Sequence, residues 1–378
     1  MYKLTFTLKQ HTPLIHFQHD QAGATLRATE VKPKLDRFLI ERLTEKQGEE
    51  AFKAIKANPE WKKWLVGKGE HPALDYKMKI FSKDKNPTYF YFESKIPNRE
   101  VLSIQEKIKL ELELPNLTVV GSSPYFANND KRNNHEYDKI ALGVIHKSIR
   151  IEIMAIKKRL LESIEEHLPP LFIKENFGGR QSKGFGCFTD QNTNLDDFTD
   201  VLSESYSFSK QLTVSSSSIV NIFRSIDNTY KKLKNKAPDI SRIRDYYHEE
   251  DIDWEKKLIS KEVAQDKIYE PDSEGYDTMF VRALLGLAGL YDYQQLRVKV
   301  NIRHETHDTI AIERFQSPIK FKIFNNNIFL VADQNKIDLI KGEWFNFYLG
   351  ESLDSAERSK RLQVPTEFNV VDFLNKNI

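Results

Sequence analysis

Phe177-Gly178-Gly179-Arg180-Gln181-Ser182-Lys183-Gly184-Phe185-Gly186-Cys187-Phe188 places four of the chain's fifteen glycines within nine residues. Glycine has no Cβ, so it accepts positive φ and lets a backbone approach a neighbour closely. Two cations, Arg180 and Lys183, and one hydroxyl, Ser182, stand between the glycines. Successive backbone N–H groups in such a turn form an anion cradle, and the cations add charge. That chemistry suits a phosphate backbone. Neither common nucleotide motif fits. A P-loop requires Lys and Ser or Thr after its last glycine, whereas Phe185 follows Gly184. A dinucleotide fingerprint requires a helix after the last glycine, whereas Cys187-Phe188-Thr189 reads as a short strand. A tight helix-to-strand turn with glycine caps is the competing reading.

Upstream, Tyr2, Leu4, Phe6 and Leu8 alternate with Lys3, Thr5, Thr7 and Lys9, the pattern of a half-buried strand that ends at Thr12-Pro13. The segment Leu26-Arg27-Ala28-Thr29-Glu30-Val31-Lys32-Pro33-Lys34-Leu35-Asp36-Arg37-Phe38-Leu39 then opens a helix over Glu30–Glu41. Leu35, Phe38 and Leu39 form its apolar stripe, and Pro33 suits its first turn. Together with the glycine segment, the run from Thr12-Pro13-Leu14 to Leu39 resembles the RAMP superfamily, the RNA-binding proteins of CRISPR effector complexes. Within it the pattern is most similar to the first-numbered subunit of the type III-B (Cmr) complex, and Arg314-Phe315-Gln316-Ser317-Pro318-Ile319 resembles that family's second-domain hairpin. The resemblance implies an α+β protein with two ferredoxin-like (RRM-like) domains and helical insertions. It also implies contacts to CRISPR guide or target RNA, association with other type III effector subunits, and no catalysis. Arg27, Lys32, Lys34, Arg37, Gly178, Gly179, Arg180, Ser182, Lys183, Gly184 and Gly186 are the expected RNA-binding residues.

Composition is that of a globular protein, with 39% hydrophobic and 30% charged residues among 378. The length suits two domains. A net charge of +2 confines any basic surface to local patches. The single cysteine, Cys187, excludes an intrachain disulfide, and nothing calls for a metal or cofactor. No run reads as a signal peptide or a membrane span, so a cytoplasmic protein is expected.

The remaining pattern divides the chain into an N-terminal domain over 1–190, a linker over 191–215 that is Asp-rich and then Ser-rich, and a C-terminal domain over 216–378. Residues 43–70 read as a helical insertion. Of the aromatic run Tyr89-Phe90-Tyr91-Phe92, at least half must face the core. Alternation predicts strands at 108–114 and 149–153. A helix is expected from Lys157 to Leu168, ending at Pro169-Pro170, and a loop over Tyr125–Tyr137. In the second half, residues 217–268 read as a charged helical insert and Met279–Leu290 as an apolar helix ending at Gly286 or Gly289. A strand is expected at 298–302, and a hairpin at 320–324 and 328–331.

His11, His16 and His19 raise a second reading, an endoribonuclease trimming CRISPR precursor RNA, with His16 and Lys32 or Arg180 as base and acid. No acidic partner stands at ligand spacing from these histidines. The glycine segment also lies at mid-chain, whereas the processing enzymes of the superfamily carry it near the C-terminus.

Overall fold

The computed structural model describes all residues except 17–24, 68, 70–71, 95–101, 115, 123–141, 214–217, 235–240, 265–275, 294–297, 307–310, 351, 354–355 and 357. His19 and the expected loop at 125–137 lie outside the described residues. The chain is a mixed helix and sheet protein that forms two compact units. The first comprises Met1–Ser205, Gln211–Asp227 and Phe321–Phe329; the second comprises Tyr206–Lys210, Asn228–Lys320 and Leu330–Ile378.

The first unit is built on β1 (Tyr2–Gln10), α1 (Ala28–Thr44), β2 (Tyr76–Ser82), β3 (Ile149–Ala155), α2 (Lys158–Lys174) and β4 (Phe188–Asp190). These strands lie side by side in the order β4-β1-β3-β2, with every neighbouring pair antiparallel. The chain order is therefore β-α-β-β-α-β. Strict alternation sets the two faces. Leu8, Ile149, Ile151 and Ile153 are buried on one face against Val31, Leu35 and Leu39 of α1 and Leu160 and Ile164 of α2. Lys3, Lys77, Lys79 and Arg150 are exposed on the other. A second sheet in this unit orders the strands Leu14–Ile15, Gly143–Ile145, Thr88–Ser94 and Leu117–Ser122. Phe90, Tyr91 and Phe92 are buried there, which fixes three of the four aromatics as core.

In the second unit, strands Leu290–Tyr293, Val298–Glu305, Trp344–Tyr348 and Ser359–Gln363 pair in sequential, antiparallel order. That differs from the crossed order of the first sheet. Strands Ile319–Phe324 and Asn327–Ala332 form the expected hairpin, with Asn325 at φ 54° in its turn.

Four expectations are corrected. Residues Ile104–Glu113 form a helix where alternation suggested a strand. Ser103 and Glu106 close a capping box at its start, and every residue within it is a helix former or tolerated there. Helix α2 runs through Pro169-Pro170 to Lys174. Burial of Leu171, Phe172 and Ile173 beyond the prolines offsets the two lost backbone donors. The stretch 191–215 contains a helix, Leu195–Ser205, anchored by buried Phe198 and Leu202, and a strand, Phe208–Leu212. Met279–Leu290 is not a helix. A 3-10 turn, Val281–Leu285, stops at Gly286, whose φ is 112° and whose Cβ would lie 3.1 Å from the Ser317 backbone.

Candidate nucleic-acid interface

The glycine segment follows α2 and folds against the chain just beyond β1. Phe177 N–H donates to Gly186 O at 3.0 Å, closing the loop on itself. Gly179 N–H donates to Ile15 O at 2.7 Å, Gly186 N–H to Pro13 O at 3.0 Å, and Cys187 N–H to Thr12 Oγ1 at 2.9 Å. Lys183 and Gly184 N–H groups close the short turn Gln181–Lys183. The anion cradle expected from the glycines is therefore largely engaged within the protein.

The glycines are demanded by packing. Gly186 has φ 64°, and a Cβ there would stand 1.9 Å from Phe177 O. At Gly178, with φ 75°, it would stand 2.6 Å from Ile15 O; at Gly184, with φ 79°, 2.5 Å from Ile323 Cδ1. Only Gly179 has an ordinary φ and no contact closer than 3.4 Å.

Helix α1 meets this loop through two side chains. Gly178 N–H donates to Glu30 Oε1 at 2.7 Å. Lys34 Nζ donates to Asn176 O at 3.0 Å and Gln181 Oε1 at 3.4 Å, and lies 4.6 Å from the centre of the Phe177 ring. The two family-like segments, about 140 residues apart in sequence, thus form one surface.

A buried hub, unanticipated in the sequence, sets the loop's base. Asn176 is 1% exposed. Its amide donates to Gln181 O at 2.6 Å and Phe321 O at 3.0 Å. Its carbonyl accepts from Lys322 Nζ at 2.5 Å and from Cys187 Sγ at 3.2 Å. Lys322, fully buried, also donates to Glu175 O at 2.9 Å, placing a cation at the negative end of α2. The surrounding burial pushes the Cys187 thiol pKa up. The available signal was an Asn directly before Phe177 and a lysine inside an apolar strand, each unremarkable alone.

The expected site residues separate into three groups. Arg180 and Ser182 are half-buried on the outer rim of the loop, Arg180 with φ 57° and its guanidinium 6.0 Å from the Phe185 ring centre. Arg27 precedes α1, and Arg37 is exposed on it. Lys32 turns away from the loop. Its ammonium donates to Asp36 Oδ2 at 2.8 Å and Leu74 O at 2.9 Å and sits 3.9 Å from the Tyr76 ring centre. Burial and the Asp36 carboxylate hold the Tyr76 phenol well above its ordinary pKa. Lys183 is buried at 8% exposure, beneath the loop rather than on its rim. Phe185 packs on Phe92 and Phe223 at ring distances of 4.9 and 4.4 Å.

His11 and His16 are interior. Asn325 N–H donates to His11 Nδ1 at 2.9 Å, which leaves the proton on Nε2, 2.9 Å from Thr189 Oγ1. His16 is buried at 4% exposure. No cluster of three or more His, Cys, Asp or Glu side chains suited to a metal occurs among the described residues. No helix among them is long and apolar enough to cross a membrane.

Two family models match the chain, the Cmr1 N-terminal domain over residues 1–236 and the Cmr1 C-terminal domain over residues 239–378. Among solved structures, the apo crystal structure of Cmr1 from Pyrococcus furiosus is similar at 12% identity. The match covers 93% of this chain and 89% of that one, with a TM-score of 0.38. No curated protein matches.

Proposed function

The chain belongs to the Cmr1 family, and from that premise we propose that it is a non-catalytic RNA-binding subunit of a type III-B CRISPR effector. It contacts guide or target RNA through the rim of the glycine loop and the start of α1. The observation that carries this reading is the convergence of the two segments. Glu30 and Lys34 of α1 grip the loop from Gly178 to Gln181, so that Arg27, Arg37, Arg180 and Ser182 belong to one structural block. Phosphate contacts then come from rim side chains, since most loop amides already have protein acceptors. Lys34 acts by positioning the loop. Such contacts hold an RNA strand without reading its sequence.

The absence of nuclease chemistry belongs to the same proposal. His11 has both ring nitrogens engaged by Asn325 and Thr189 and is held neutral, and His16 is interior, so neither offers an accessible base for a 2′-hydroxyl.

The test is a titration of single-stranded RNA against wild type, Arg180→Ala/Ser182→Ala and Arg27→Ala/Arg37→Ala over a range of salt, in the assembled effector if the partners complete the site. Each lost phosphate contact is expected to lower the magnitude of the salt slope by roughly 0.7. All RNA sequences should weaken alike, and a CRISPR repeat RNA should remain uncut. Unchanged affinity and slope in both variants would overturn the RNA reading of this surface; cleavage abolished by His16→Ala would overturn the non-catalytic one.

A further inference from the structure

The outer face of the first unit's sheet carries a second cationic surface, at the opposite end of β1 from the glycine loop. Cross-strand register places Lys3, Met154 and Lys77 in one row, Thr5, Glu152 and Lys79 in the next, and Thr7, Arg150 and Phe81 in the third. Paired residues share a face, so these nine side chains stand together. Both helices pack on the other face. At the far end of β1 the outer face is covered, where the Phe324 ring packs at a tilt against His11 at 5.2 Å and Phe198 at 4.9 Å. The three rows lie beyond that cover. Lys3 and Arg150 side chains are 52% and 47% exposed, and Lys77 and Lys79 are exposed.

Charge on this face is one-sided. Four cations stand against a single carboxylate, Glu152, which Lys3 and Arg150 already hold at 3.1 and 3.5 Å. The Lys3 ammonium keeps the Glu152 carboxyl below its ordinary range, so its charge persists. Lysines on β2 also serve an edge strand by discouraging strand addition. That role does not account for Lys3 and Arg150, which are on the two interior strands. Along one strand, side chains two residues apart are separated by about 6.7 Å, a step comparable to that between successive phosphates of an extended nucleic-acid strand. The one aromatic in the rows, Phe81, has the Lys79 ammonium 5.2 Å from its ring centre. The face therefore suits a phosphate backbone better than stacked bases.

We propose that this open sheet face binds the phosphodiester backbone of single-stranded RNA, as a second contact separate from the glycine loop. The inference rests on the RNA-binding reading above. It is tested by titrating a fluorescein-labelled oligouridylate against the full chain across a salt series. The variants are Lys77→Ala/Lys79→Ala/Arg150→Ala on the face, Lys53→Ala/Lys62→Ala/Lys63→Ala as an exposed control of equal charge, Arg180→Ala/Ser182→Ala on the loop, and Glu152→Gln. The face variant should bind more weakly, with a salt slope smaller in magnitude by about 2; the control should match wild type. Glu152→Gln should bind more tightly, a gain that a structural role would not produce. Exchange of Lys77 and Lys79 for Arg should preserve binding. Equal losses in the face and control variants would overturn the proposal, as would unchanged binding in the face variant, including when it loses a partner subunit instead. In those cases a loss in the loop variant leaves the RNA function standing. Absence of binding by wild type would overturn both.

Discussion

His11 shows how completely a residue's chemistry depends on what surrounds it. As one of three nearby histidines it reads as a candidate base. In the fold, Asn325 N–H fixes its tautomer and Thr189 Oγ1 accepts a hydrogen bond from its Nε2–H. Burial first, then the charges of Lys9 and Lys322, lower its pKa from 6.5 to about 3. The folded value lies below the unfolded one, so between them the unfolded chain takes up a proton that the folded chain refuses. Stability is then full above about pH 6.5 and falls as pH drops toward 3, by at most about 1.4 kcal/mol per pH unit from this group. Melting curves from pH 7.5 to 4.5 should show a smaller fall for His11→Gln than for wild type, although the variant starts lower. Parallel profiles would assign the acid sensitivity to other groups. Asn176 makes the same point without titrating. Its four hydrogen-bonding sites are all occupied, a satisfied buried amide that its sequence neighbours do not announce.

At the level of elements, local pattern succeeded where one face of a strand met solvent. β1 and β3 alternate because a helix layer covers only one side of their sheet. The same period misled at 108–114, where Ile108, Leu110 and Leu112 are separated by charges but lie on a helix. Leu110 is buried there, while Ile108 and Leu112 are 53% and 80% exposed. The Ser103-x-x-Glu106 box was the decisive signal. The hairpin strand Ile319–Phe324 also alternates Lys with apolar residues, yet all six positions are buried. The glycine loop offers an internal contrast. Gly186→Ala requires positive φ and forces Phe177 O away from a 1.9 Å overlap, which should cost about 3 kcal/mol or more. Gly179→Ala meets only ordinary contacts and should change stability by less than ~1 kcal/mol. Denaturant midpoints measure both, and similar values would mean that the loop can relax as a body.

For the molecule as a whole, the units that fold do not coincide with a cut of the chain. The family models divide it near residue 237, yet Phe321–Phe329 belongs to the first compact unit. That segment supplies Lys322 to the end of α2, Phe321 O to Asn176 and Asn325 N–H to His11. A chain ending at residue 236 would take one or more hydrogen-bond partners from each of these groups, at about 1–3 kcal/mol for each buried site left unpaired. Such a fragment should melt below the first transition of the full chain and bind a hydrophobic dye; a fragment as stable as the full chain would make the hairpin dispensable. The sequence by itself determined the mixed fold class, three of the first sheet's four strands (β1, β3 and β4, but not β2), helix α1, the hairpin and the family. These follow from periodicity, turn chemistry and short motifs, all written within a few residues of one another. Only the tertiary structure decided that the glycine loop's amides serve the protein, that Lys32 faces Asp36 while Lys34 faces the loop, and that Lys322 completes a site 146 residues away. It also decided which cations share the open sheet face. A polar group's role depends on which distant donor or acceptor reaches it, and local spacing carries no record of that partner.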